Sequence, residues 1–269
     1  MKKTFVVILI FSLLTFTLSD DDDNNYTTED IKIMQDLISK VLPVFKDILN
    51  DLQNVDSVEG NLLREILDKV YSILDMLSPL LDKDPQIFLE ALQELGNKFQ
   101  KLSEYFEGLV TSYPYDLLLN VEIDILTNEK IIKLLESCKD DVLYLYKKNL
   151  DEDEEEYDST YFDIISEIYP NILDLLRSDD FKEFIKKCGL IFLYNNQDHS
   201  QFNQEYDVKE LGEEAKQIFH DKIMNNEDYK KCLDKISEKI PYLSHDMINN
   251  YVVLFIYALV NNKLEIIDN

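Results

Sequence analysis

From Thr27 almost to the C-terminus, apolar residues recur three and four positions apart, and that spacing confines the chain to helices. Ile31, Met34, Ile38, Val41, Phe45, Ile48 and Leu52 fall on one helical face. Phe88, Leu92, Leu95, Phe99, Leu102, Phe106 and Leu109 alternate in steps of four and three, a heptad seam suited to an antiparallel neighbour within the chain. Ile131, Leu135, Cys138, Val142 and Leu145 repeat that step and turn Cys138 toward a core. The expected fold is all-α, a multi-helix bundle of about ten helices in two packed lobes.

The boundaries follow from capping and breaking chemistry. Thr27 with Asp30, Asp84 before Pro85, Thr127, Ser159 or Thr160, Ser178 before Asp179, Asp207 with Glu210, and Ser244 each offer a side-chain acceptor at a helix start. Pro43 should kink or split the first helix. A second helix is expected from Val58 to Leu77, and a short one near Tyr115 to Leu126 after the break at Tyr113 and Pro114. Asn195 to Tyr206 reads as a polar loop. Tyr251 to Val260 is apolar on all sides and too short to span a membrane, so it should be the buried central helix of the second lobe. Ile-Ser-x-x-x-Pro recurs at Ile38, Ile165 and Ile236, at unequal intervals that define no repeat period.

Asp151 to Asp158 holds seven acidic residues in eight, a solvated linker between lobe 28–150 and lobe 159–269. It lacks the glycine turn and ligand spacing of a calcium loop.

The first 19 residues read as a secretory signal peptide. Lys2 and Lys3 precede an apolar run from Phe5 to Leu14, and Thr17 and Ser19 are small residues at the positions that guide cleavage before Asp20. The uncharged segment falls short of the roughly 20 residues that cross a bilayer, so no transmembrane anchor is expected once the signal is removed. Residues 20–27 form an acidic tail with too little apolar surface to fold, and the sequon Asn25-Tyr26-Thr27 makes Asn25 an exposed glycosylation acceptor. The expected location is extracellular.

Composition limits the chemistry. Five glycines in 269 residues leave no phosphate loop, dinucleotide fingerprint or nucleophile elbow, all of which need backbone that only glycine supplies. His199, His220 and His245 show no metal-ligand spacing, and a dyad such as Cys232 with His220 has no flanking signature. No catalytic, cofactor or metal residues are assigned, and the chain is read as a non-enzyme. Whole, it carries a formal charge of −27; without Lys2 and Lys3, 25 basic residues stand against 54 acidic, a charge of −29. Such a surface repels nucleic acid and anionic lipid; it gives solubility and resistance to self-association, and its functional alternative is attraction to a basic protein partner.

Cys138, Cys188 and Cys232 leave two expectations in an oxidising compartment: a disulfide between two of the three, or three small hydrophobes on inward helix faces. Tyrosines lie between them, Tyr144 and Tyr146 in the first interval and Tyr206 and Tyr229 in the second. In this arrangement, with its signal, helical build and missing catalytic motifs, the chain resembles the bicycle proteins of aphids, secreted effectors named for paired cysteine-tyrosine-cysteine motifs. The resemblance implies a helical effector delivered into a host. The functional expectation is a secreted, non-catalytic protein acting through an unidentified protein partner; the alternative is an extracellular carrier whose Phe-, Leu- and Ile-rich helices enclose an apolar small molecule or lipid.

Overall fold

The computed structural model describes residues 27–94, 105, 108, 109, 112–144 and 159–262. Ser19, Asp20, Asn25, Tyr146, the acidic run 151–158 and most of the heptad seam after Leu92 lie outside the described residues. Among those described, every regular element is helical. They divide into two compact units: the first takes residues up to Ser112 and those from Asp124 to Glu155, the second Tyr113–Ile123 and those from Glu156 on.

The first unit is organised on α1 (Thr28–Asp51). Thr27 and Asp30 close a reciprocal capping box: the threonine hydroxyl accepts from Asp30 N at 3.3 Å and the Asp30 carboxylate accepts from Thr27 N at 2.6 Å. Asp30 is fully buried and also accepts from the Tyr144 hydroxyl at 3.0 Å. The inward stripe is Ile31, Met34, Ile38, Leu42, Phe45 and Ile48, with Leu42 taking the place expected for Val41, which is half-buried.

Pro43 neither splits nor ends this helix. It sits on the exposed side, where the carbonyl left without an amide partner can meet water. Around α1 pack α2 (Val58–Asp75), α3 (Pro85–Glu94) and, after α4 (Tyr115–Leu126), α5 (Glu129–Ser137). Phe88 and Leu92, the start of the heptad seam, are fully buried. Gln35, buried on α1, donates to the carbonyls of Leu80 and Lys83 at 3.3 and 3.2 Å and so ties down the turn before α3. The cap of α5 is Asn128 rather than Thr127: its side chain accepts from Lys130 N at 2.9 Å.

The second unit contains α6 (Ser159–Arg177), α7 (Asp179–Asn196), α8 (Val208–Ile218), a π-helical turn (Phe219–Ile223), α9 (Glu227–Lys239) and α10 (His245–Val260). α7, α8 and α10 pack together, and their contact splits into two clusters. Leu190, Ile191, Leu211 and Leu259 form one, and Ala215, Phe219, Ile223 and Ile256 the other. Glycine permits the closest approaches: a Cβ on Gly212 would stand 2.4 Å from Val260 Cγ2, and one on Gly189 2.9 Å from Leu119 Cδ1.

α6 pairs with α9 along a polar seam. Pro170 lies inside α6 and weakens its turn, and Lys235 donates there to the Glu167 carbonyl at 2.5 Å and to Asn171 Oδ1 at 2.8 Å. The Ile-Ser-x-x-x-Pro echo therefore has no common structure, since Pro43 and Pro170 are within helices and Pro241 follows α9.

Candidate interaction surface

α10 departs most from expectation. Its uniform apolarity predicts burial on all sides, whereas only one side is covered. Ile256 and Leu259 are buried, with Val252, Val253 and Val260 packed beside them on the α7–α8 clusters. At 3.6 residues per turn, Met247, Tyr251, Leu254 and Ala258 share a stripe roughly 60° wide on the opposite side, with Phe255 and Tyr257 at its edges. Tyr251 is 56% exposed, Leu254 59%, Phe255 47% and Tyr257 58%. Tyr242, in the turn that leads into the helix, is 74% exposed.

The helix that carries this face is held at both ends. Ser244 caps it by accepting from Met247 N at 3.3 Å, and the preceding turn is fastened by Ser237 Oγ donating to Leu243 O at 2.7 Å. Tyr229 donates to Asn249 Oδ1 at 2.8 Å, and Asn195 Nδ2 donates at 2.7 Å to Leu259 O, which also accepts from Asn262 N at 3.1 Å. Charge is scarce here. Residues 247–262 contain no ionisable group besides two tyrosines, and Asp246 and His245 stand just before them. His245 Nε2 lies 3.2 Å from Asp234 Oδ1 on α9.

The residues singled out by sequence are not brought together. All three cysteines are free, so the expected disulfide is absent. Cys138, in the first unit, is buried at the end of α5. In the second unit Cys188 packs from α7 against the Ala215 and Phe219 cluster, while Cys232 is buried on α9. Each is used as a small hydrophobe. Burial pushes the Cys188 thiol up to about 12 and the Cys232 thiol up to about 11, and raises that of Cys138, which suppresses the thiolate that reactive cysteines need. His220 is exposed with Nδ1 3.2 Å from Met224 Sδ, and no contact joins it to Cys232. His199 is exposed, and its ring stacks on Tyr194 with centroids 4.0 Å apart while Nε2 lies 2.8 Å from the Tyr194 carbonyl.

That stack belongs to an aromatic group that fixes the supposed loop 195–206. Tyr194, Phe202 and Tyr206 meet edge to face, Phe202 leans on Tyr115, and buried Asp116 accepts from the Tyr206 hydroxyl at 3.0 Å and from Asn203 N at 3.3 Å. A half-buried carboxyl, Glu122 on α4, has no hydrogen bond or ion pair among the described residues, and desolvation pushes it up to about 7. Sequence reasoning missed it because one acid among 54 carries no mark.

In the first unit, an open groove of about 580 Å³ is lined by Leu49, Gln53, Asn61, Arg64, Glu65 and Asp68. Its arginine is engaged, donating to Leu52 O at 3.2 Å and to Asn61 Oδ1. The lining is mostly polar, unlike a site for an apolar ligand. Among the described residues no three His, Cys, Asp or Glu side chains gather as a metal site would, and no helix is long and apolar enough to cross a membrane. No protein-family model, no curated protein and no solved structure matches this chain.

Proposed function

We propose that this is a secreted, non-catalytic helical protein that acts by binding protein, effector-like, in a host or extracellular setting, and that the outer face of α10 is where it binds. The observation that carries this reading is the stripe from Met247 to Ala258. In a chain of charge −27, an exposed helix face with no charge and four large aromatic or aliphatic side chains is unlike the remaining surface. Contiguous exposed apolar area of this kind marks contact sites, and tyrosine is a residue that interfaces favour. The raised thiols suit a non-catalytic reading, because they suppress the thiolate that a cysteine nucleophile needs.

The test is a photo-reactive phenylalanine analogue at position 254 of the mature chain, with the same group at exposed Glu213 as control. Discrete protein adducts at 254 and none at 213 support the reading. A native mass that carries a co-purifying apolar molecule, with no protein adduct, would transfer the case to the carrier. Secretion is checked separately, by whether mature protein begins at Asp20 when the whole chain is expressed in a secreting cell.

A further inference from the structure

We infer that the occupant of the α10 face is a second copy of this chain, the two helices meeting antiparallel across a two-fold axis. The inference rests on reading that face as a docking surface and names what docks there. Three observations favour a copy over a basic partner.

The first is charge. Two copies of an acidic chain repel one another, and they approach most easily where neither presents charge. Residues 247–262 are the longest run without a charged residue among those described. A basic partner would instead seek a net acidic rim, whereas α9 and α10 together are nearly balanced, with five acidic residues to four lysines against 54 acidic to 27 basic in the whole chain. At physiological salt, charges farther off than about 8 Å are largely screened.

The second is register. The stripe Met247, Tyr251, Leu254, Ala258 steps by four, three and four, a spacing that reads the same in both directions. An antiparallel copy with its axis between Val252 and Val253 sets Met247 opposite Ala258 and Tyr251 opposite Leu254. Met247 thus faces the small Ala258 at each end of the seam, and Tyr251 faces Leu254 nearer its middle, a pairing open to knobs-into-holes packing. A two-fold pairing of this sort uses one patch twice and closes on itself.

The third is area. Met247, Leu254, Tyr251, Phe255 and Tyr257 are 40% to 59% exposed and Tyr242 74%, which leaves roughly 100 Å² apiece and about 600 Å² per copy. A standard interface buries about 800 Å² per partner. The match is to a reversible dimer rather than a permanent one.

Sedimentation velocity on the mature full chain tests this. The expected result is a monomer–dimer equilibrium that tightens as salt rises, because screening removes repulsion, and that weakens about tenfold or more in Leu254→Glu and Ala258→Glu, each checked for native helicity by circular dichroism. Register is tested by mixing Met247→Cys chains with Ala258→Cys chains under oxidation. Cross-links should form in the mixture and exceed those of either variant alone or of the unsubstituted chain, since two copies of position 247 would stand roughly 16 Å apart along the helix axis.

A chain that stays monomeric at every salt concentration, or cross-links that ignore the pairing, would overturn the inference. If such a monomer still captures a different protein at position 254, self-pairing fails and the docking surface stands. If position 254 captures nothing, both fail.

Discussion

α1 and α10 start from similar material and finish differently. Each lays an apolar stripe against its own unit, but α1 sets Glu29, Lys32, Asp36, Lys46 and Asp47 on the outside, all exposed, whereas α10 sets Met247, Tyr251 and Leu254 there. The inner stripe makes a helix part of a core, and the outer residues decide whether it stops there. A charged exterior ends the packing; an uncharged one leaves the helix with a second face that still gains by leaving water. Individual carboxyls differ too, since Asp116 in the second unit is buried among donors as Asp30 is in the first, and Glu122 is not. Asp30 is surrounded by donors from Thr27 and Tyr144, while Glu122 is desolvated with none.

The comparison is best attacked where it claims most. Phe45→Ala, deep under α1, should lower unfolding stability in urea by about 3 to 5 kcal/mol; a much smaller loss would mean that α1 does not organise its unit. Glu122 comes next. Its folded pKa, about 7, stands above its unfolded value, so the folded state holds this proton more tightly. Stability from this group is therefore greatest below the unfolded pKa, near 4.3, and falls as pH climbs toward 7, by roughly 3 kcal/mol in all. Glu122→Gln should flatten that part of the profile, and an unchanged slope would show that the carboxyl is solvated after all.

Asp30→Ala should cost about 1 to 2 kcal/mol by opening the capping box. Gly212→Ala should be milder, about 1 kcal/mol, since overpacking against Val260 is partly offset by alanine's better helix propensity. A second change, Val260→Ala, should relieve the clash, so the pair would be non-additive. The smallest effect belongs to Leu254→Ala. Thermal unfolding of the monomer should shift by no more than about 0.5 kcal/mol equivalent, and a large loss would mean that this side of α10 is core.

Helix starts were the most legible feature of the sequence. Thr27 with Asp30, Asp207 before α8 and Ser244 before α10 all cap as their chemistry predicts, because a cap is decided by side chains within a few residues of the amides they serve. Pro43 was misleading for the complementary reason. A proline deletes one local bond, but the packing of a whole stripe holds the helix through it when the ring faces water. Asn128 displaced Thr127 because both residues can cap and one position separates them. The site was less legible than the fold. Hydropathy measures how apolar α10 is and contains no period to say which side faces in, so burial of the whole helix was the natural expectation. The hint that was available is that Tyr251 and Tyr257 carry hydroxyls a dry core would have to satisfy.

The fastening of α10 has a thermodynamic consequence for anything that meets it. Asn195 secures its last turn through the Leu259 carbonyl, Gly212 lets Val260 seat against α8, and Tyr229 holds Asn249 near the other end. The outer residues therefore project from a backbone already fastened to its own unit before contact. Ordering a segment on association consumes much of the favourable interaction in most recognition by loops and tails. Here that loss is confined to the rotamers of a few side chains, two of them tyrosines with only two torsions each, so even a modest apolar face retains most of what its contact yields.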